Sequence, residues 1–308
     1  MTARTLGEVP PGCRQRLVAH YGPKVLEWLD AVPDVLGQLA ERWKLSLGGY
    51  HDAGHASVIA TATALDGRPQ LLKAWPDRTR YRHEIRALRL WAGGLTVDVI
   101  ETDDDHAVAL LEMVGGRPGG SDWRQRETQM VAGALHGLHT LGRTRRRTGS
   151  LPPLREYLRL EVLPRIEKRA LSLDLGPWRP LVDDEFRAIV MVEEDPRRST
   201  VLHADLYREN VPFDSTGHPR LIDPVPMVGD AAFDWAFWTV YYDLGRETSQ
   251  RLATAARISR IPVPVIAPWC RLLSLDGLLY YVDTDDPRAP QMFEVLSFLS
   301  ARGAGSDV

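Results

Sequence analysis

Between residues 22 and 45 the apolar positions Val25, Leu26, Leu29, Val35, Leu36, Leu39 and Trp43 recur at helical intervals. This predicts a helical lead-in, with Pro33 expected to break or restart it. The period then changes. From Leu45 to Trp75, β-branched runs alternate with glycine-bearing turns and a "DGRP" tight turn, which predicts three antiparallel strands joined by hairpins. "TRYRHEIRALRLWAGG" returns to helical spacing and ends in glycines, as a helix C-terminus should. "LTVDVIETDDDHAVALLEMV" reads as a further hairpin turning at Asp103 to Asp105.

The glycine-rich "GGRPGG" at 115–120 is the expected boundary between a strand-rich lobe at 1–114 and a helix-rich lobe at 115–308, an α+β order. Helices are expected over 121–142, 153–172 and 178–195, and again from the mid-230s to about 302. Between them lie short strands at "TVLH", "NVPF" and "PRLID".

Composition narrows the classes. A chain of 308 residues, at about 150 per domain, suggests two domains or one domain in two lobes. Its 44% hydrophobic and 26% charged residues fit a globular protein with a sizeable core. A net charge of −3 argues against a dedicated nucleic-acid binder. The basic run at Arg143 to Arg147 is expected to be a solvated loop. Cys13 and Cys270 are the only cysteines, which excludes a cysteine zinc site or disulfide framework and fits a reducing compartment. The N-terminus lacks the apolar core of a signal peptide, and no apolar run approaches the ~20 residues of a membrane span. A soluble cytoplasmic protein with no membrane or nucleic-acid partner is expected.

The chemistry concentrates at 201–234. His203, Asp205 and Asn210 form H-x-D-x-x-x-x-N, and Asp223 follows thirteen residues after Asn210, at the end of the apolar "LID". Phosphoryl transfer needs a group that takes the acceptor proton and oxygen ligands that hold Mg²⁺ against the β- and γ-phosphates. Asp205 suits the first task; Asn210 and Asp223, on either side of a hairpin, suit the second. A polar turn region whose aspartates cap local structure is the bland alternative. Upstream, Lys73 stands alone in an apolar strand, with Glu84 eleven residues on in the next helix. Such a pair can anchor the α- and β-phosphates; a snorkelling lysine is the competing reading. The loop 48–57 could approach phosphate through backbone N–H groups of Gly54 to Ser57 and the Ser57 hydroxyl. The backbone from Glu112 to Val114 would hold the nucleotide base.

These residues look familiar. "VLHADLYRENVPFD…PRLIDPVPMVGDAAFD", with the strand lysine before it, resembles the aminoglycoside phosphotransferase family, in its streptomycin and hydroxyurea resistance branch. The resemblance covers nearly the whole chain. It implies a bilobal protein-kinase-like fold, ATP or GTP as phosphate donor, Mg²⁺, and a hydroxyl acceptor on an antibiotic. Lys73 and Glu84 match the phosphate-anchoring pair, Asp205 the catalytic aspartate, and Asn210 and Asp223 the metal ligands. His203, Asp230 and Asp234 match structural positions that brace the loop. Four residues depart from the pattern: Ala204 for glycine, Tyr207 for histidine or a small residue, Pro212 inside a strand, and Ala231 for proline.

For the acceptor, the rings of Trp235, Trp238, Tyr241, Tyr280 and Tyr281 and the carboxylates of Asp283 and Asp285 could receive a polycation. Helical core and turn caps are the alternatives for these residues. A nucleoside or peptide antibiotic would be served equally well, and a catalytically idle nucleotide-binding module remains the reading from another class. A protein kinase is a weaker third, since nothing resembles a D-F-G or A-P-E segment.

Overall fold

A computed structural model describes residues 6–51, 56–116, 124–144, 151–189 and 192–304. Gly54, residues 117–120 of the expected boundary and Arg145 to Arg147 lie outside them. The chain divides into two compact units, Met1–Gly115 and Gly116–Val308.

In the first unit, α1 (Pro11–Tyr21) and α2 (Leu26–Arg42) precede β1 (Ser46–Tyr50), β2 (Val58–Thr63) and β3 (Pro69–Ala74); α3 (Arg78–Trp91), β4 (Val99–Asp103) and β5 (Val108–Glu112) follow. The strands form one antiparallel sheet in the order β1-β2-β3-β5-β4. The expected break at Pro33 does not occur: α2 runs through it. An interior proline costs about 3 kcal/mol. Leu29, Val32, Leu36 and Leu39 lie buried on either side of it, and each contributes roughly 1.5–3 kcal/mol, so a continuous helix wins.

In the second unit, α4 (Arg124–Thr144) leads to α5 (Leu154–Tyr157), a π-turn (Leu158–Val162) and α6 (Leu163–Ser172). Next come α7 (Arg179–Ile189), shorter than the expected 178–195, β6 (Ser199–Leu202) and β7 (Met227–Asp230). The helices α8 (Ala231–Tyr241), α9 (Thr248–Ser259), α10 (Val263–Asp283) and α11 (Ala289–Ala304) close the unit.

The small sheet differs from expectation. β6 pairs antiparallel with β7, Leu202 opposite Met227, and not with "NVPF" or "PRLID". Those two segments share only a Phe213–Pro219 bridge and a few main-chain bonds. Pro212 and Pro219 offer no N–H to a ladder, which limits them to this sparse pairing. Among the described residues one helix, α10, is long and apolar enough to cross a membrane by length and composition; 67% of its most apolar window is buried within the fold.

Candidate active site

In the first unit, Lys73 sits on the central strand β3, between Ile59 of β2 and Ala109 of β5. Its Nζ donates to Glu84 Oε1 at 2.6 Å, and both side chains are almost fully buried. Trp75 Nε1 donates to Glu84 Oε2 at 2.9 Å, and the ammonium lies 4.9 Å from the Trp75 ring centroid. The carboxylate of Glu84 therefore has both oxygens engaged, and a buried charge so held keeps its position. Ser57 is buried immediately before β2, and the Tyr21 hydroxyl of α1 donates to the neighbouring Ala56 carbonyl at 2.9 Å. Glu112 ends β5, where its N–H donates to Asp98 O, while Met113 to Gly115 leave the ladder.

In the second unit, the loop after β6 is held from beneath by Asp234. Its carboxylate accepts the N–H of His203 and of Ala204, each at 2.8 Å, and contacts His139 Nε2 at 2.9 Å. Ala204 has φ of 56°, the left-handed region, which explains why glycine suits this place. His203 is fully buried; loss of hydration lowers its pKa to about 4 against the pull of Asp234 and Asp223, so the ring stays neutral. Asp230 caps α8 through Ala232 N–H and takes a bidentate Arg198. Ala231 occupies the first turn of α8, where proline is also favoured.

Asp205 follows on this braced loop. Asn210 closes a single 3₁₀ turn and donates through Nδ2 to both Asp205 O (2.8 Å) and Asp205 Oδ2 (3.0 Å). Its amide oxygen is thus directed away from Asp205. The N–H of Ile222 donates to Asn210 O at 3.0 Å, which sets Asp223 beside Asn210 across the returning chain, and Asp223 has φ of 56°. An amide oxygen and a carboxylate are the hard oxygen ligands that Mg²⁺ prefers. Among the described residues no three His, Cys, Asp or Glu side chains cluster in a way that could hold a metal ion. Asp214 and His218 are turn residues: Asp214 accepts the N–H of Thr216 and of His218.

Beside Asp205 opens a cavity of about 170 Å³, wholly within this unit. Tyr157, Tyr207, Phe237 and Tyr241 supply its aromatic wall. Tyr207 packs edge-on to Phe237 at 5.1 Å and lies 5.3 Å from Tyr241. Burial, with Asp205 beside it, raises the Tyr207 phenol far above its usual range and keeps it neutral. Tyr241 donates to Leu273 O at 2.8 Å; Gly277 makes room for it, since a Cβ there would lie 2.5 Å from the Tyr241 oxygen.

The expected acceptor residues separate. Trp235 and Trp238 are 1% and 0% exposed and belong to the core of α8, which corrects their place on an acceptor wall; a helix buried all round conceals its rings from solvent. Tyr281 is buried with Arg288 4.5 Å from its ring centroid, Asp283 is paired with Arg169, and Asp285 sits exposed in the turn after α10. None of these five lines the cavity; Tyr241 does. Sequence reasoning missed Tyr157, Arg165, Phe237 and Asp276, which also line it. The available signal was Asp276, the only charge in the apolar run "LLSLDGLLYYV".

A family model described as aminoglycoside/hydroxyurea antibiotic resistance kinase matches residues 42–266. The chain belongs to this family. The kinase is 27% identical over 263 residues to streptomycin 6-kinase of Streptomyces griseus, covering 82% of this chain and 80% of that one. It is 25% identical over 227 residues to hydroxyurea phosphotransferase of Kitasatospora aureofaciens, covering 74% and 66%. A thermostable mutant of an aminoglycoside phosphotransferase, solved with AMP-PNP and hygromycin B, matches the kinase with a TM-score of 0.63 at 15% identity, over 87% of this chain and 98% of that one. A choline kinase from Streptococcus pneumoniae matches with a TM-score of 0.56 at 15% identity, over 87% and 98%. The fold of the kinase is therefore α+β and protein-kinase-like.

Proposed function

We propose that the chain transfers the γ-phosphoryl group of ATP or GTP to a hydroxyl of an antibiotic of aminoglycoside type, and so confers resistance from the cytoplasm. The observation that supports this best is the double hydrogen bond from Asn210 to Asp205 on a loop braced by Asp234. It orients a carboxylate beside a cavity, as a base for an incoming hydroxyl requires. The acceptor hydroxyl gives its proton to Asp205, its oxygen bonds to the γ-phosphorus, and the bond to the bridging oxygen breaks to release the nucleoside diphosphate. Asn210 Oδ1 and the Asp223 carboxylate would hold Mg²⁺, which when bound neutralises charge on the β- and γ-phosphates. Lys73, fixed by Glu84, anchors the α- and β-phosphates; the Ser57 hydroxyl would donate to them, and the backbone from Glu112 to Val114 would receive the base.

The antibiotic acceptor rests on family membership and on the streptomycin 6-kinases among the relatives. The test is a panel of hydroxyl-bearing antibiotics, streptomycin included, incubated with the protein, Mg²⁺ and ATP or GTP, with products read by mass. Phosphorylation of at least one antibiotic is expected. Nucleotide binding with no acceptor phosphorylated would favour an idle nucleotide-binding module.

A further inference from the structure

Asp234 braces the start of the Asp205 loop, and a second buried carboxylate braces its end. Arg208 opens the 3₁₀ turn Arg208–Asn210. Its Nε donates to Glu127 Oε1 at 3.0 Å and its Nη2 to Glu127 Oε2 at 3.1 Å. The hydroxyl of Tyr242, the first residue past α8, donates to the same Oε1 at 2.7 Å. Glu127 and Tyr242 are buried, and Arg208 is half-buried. Three donors satisfy the buried carboxylate, and the planar fork of the guanidinium fixes the direction of Arg208.

The turn passes that direction on. The N–H of Val211 donates to Arg208 O at 3.1 Å, and the N–H of Asn210 donates to Tyr207 O at 3.0 Å. These main-chain bonds flank Asn210, so a fixed Arg208 also sets how the Asn210 side chain leaves the backbone. Its Nδ2 is held by Asp205, and its Oδ1 is placed by the same turn. Glu127 lies in the first turn of α4, while His139 of the same helix contacts Asp234. From Glu127 to His139 is about 18 Å along the axis, so one helix holds both ends of the loop. The helix is itself seated on β6: Thr200 Oγ1 donates to His139 O at 2.9 Å, and a Cβ on Gly142 would lie 2.9 Å from Val201 N.

An ion pair of this kind can also be mere bracing. Glu185 and Arg271 show that case, with the same set of donors. Arg271 donates twice to Glu185, at 2.7 and 2.9 Å, and the Ser300 hydroxyl donates at 2.7 Å. That pair joins α7 to α10 and lines no part of the cavity. What sets Glu127 apart is that its partner belongs to the turn that carries Asn210.

We propose that Glu127 and Tyr242, acting through Arg208, are positioning residues that aim Asn210 Oδ1 at the metal. This rests on reading Asn210 as a metal ligand. It adds a contact from α4 on which the strength of metal binding depends.

The experiment measures binding and needs no acceptor. Calorimetric Kd values for AMP-PNP or GMP-PNP, whichever binds more tightly, are taken with and without Mg²⁺. Their ratio is the metal's contribution to nucleotide binding. It is compared between the full chain, Glu127→Gln, Arg208→Lys, Tyr242→Phe, Asn210→Ala and the matched control Arg271→Lys. The ratio should fall about tenfold in Glu127→Gln and Arg208→Lys, the lower end of what losing a group that supports a metal ligand costs. The metal-free Kd should stay within a few fold. Tyr242→Phe leaves the guanidinium fork in place and should lower the ratio less. Arg271→Lys should lower Tm to a similar extent and leave the ratio unmoved. If Glu127→Gln does not fold, Arg208→Lys carries the test, since it keeps the charge. A ratio unmoved in Glu127→Gln and Arg208→Lys, or lowered equally by Arg271→Lys, overturns the inference. If Asn210→Ala alone lowers it, the reading of Asn210 stands without the inference; if Asn210→Ala does not lower it, both fail.

Discussion

Asn210 spends both protons of its side-chain amide on Asp205, one on the main-chain oxygen at 2.8 Å and one on the carboxylate at 3.0 Å. The residue assigned to the metal thus also fixes the rotamer of the residue assigned to the proton. Asn210→Ala removes both functions. Its kcat should fall by at least ~10²-fold, the scale of a misplaced general base, and its Mg²⁺ requirement should rise. A Mg²⁺ titration of initial rates checks this.

Lys73 and Glu84 form a pair with almost no exposure. Lys73→Met leaves a buried carboxylate without its ammonium, which costs about 3–5 kcal/mol when a buried pair is broken from one side. The double variant Lys73→Met/Glu84→Gln should recover a large part of that loss in urea unfolding. Both should bind nucleotide poorly. Equal stability of the single and double variants would contradict the buried pairing.

Asp234 takes two backbone N–H groups of the loop that leads to Asp205 and touches His139 as well. Asp234→Asn turns an amide nitrogen toward a donor, leaving one buried N–H unsatisfied at about 1–3 kcal/mol. The expected outcome is a lower Tm together with a kcat drop of tenfold or more, while the nucleotide Kd changes little. Thermal denaturation and single-turnover rates measure the two effects separately.

Ala204 holds φ of 56° directly before Asp205. The left-handed region costs a non-glycine residue about 1–2 kcal/mol, whereas a glycine there loses about 0.4–1 kcal/mol through unfolded-state freedom. Ala204→Gly should therefore leave Tm unchanged or slightly raised with activity retained. Ala204→Val, with a β-branch in that region, should lower both. A marked fall in Tm for Ala204→Gly would show that the loop is held differently.

The order of strand and helix in the first unit, and the chain of Asp205, Asn210 and Asp223, could be read from the sequence because short spacing carries them. Lys73 was legible for the same reason, as a single charge in an apolar strand. Arg165 and Asp276 were not: they are 111 residues apart and meet only through the packing of α6 on α10. Trp235 and Trp238 misled because an aromatic helix looks alike whether it faces a ligand or the core. The strand β7 was missed for a local reason, since the prolines of "IDPVPMVGD" conceal the four residues that pair with β6.

The central claim is that Asp205 takes the proton of an acceptor hydroxyl during phosphoryl transfer. It is tested most directly by comparing the chain with Asp205→Ala on an acceptor that the panel finds to be phosphorylated. Product is followed by mass and nucleotide affinity by calorimetry. Phosphorylated acceptor should fall by at least ~10²-fold in Asp205→Ala while the Mg²⁺–nucleotide Kd stays within a few fold. Undiminished transfer by Asp205→Ala would contradict the account.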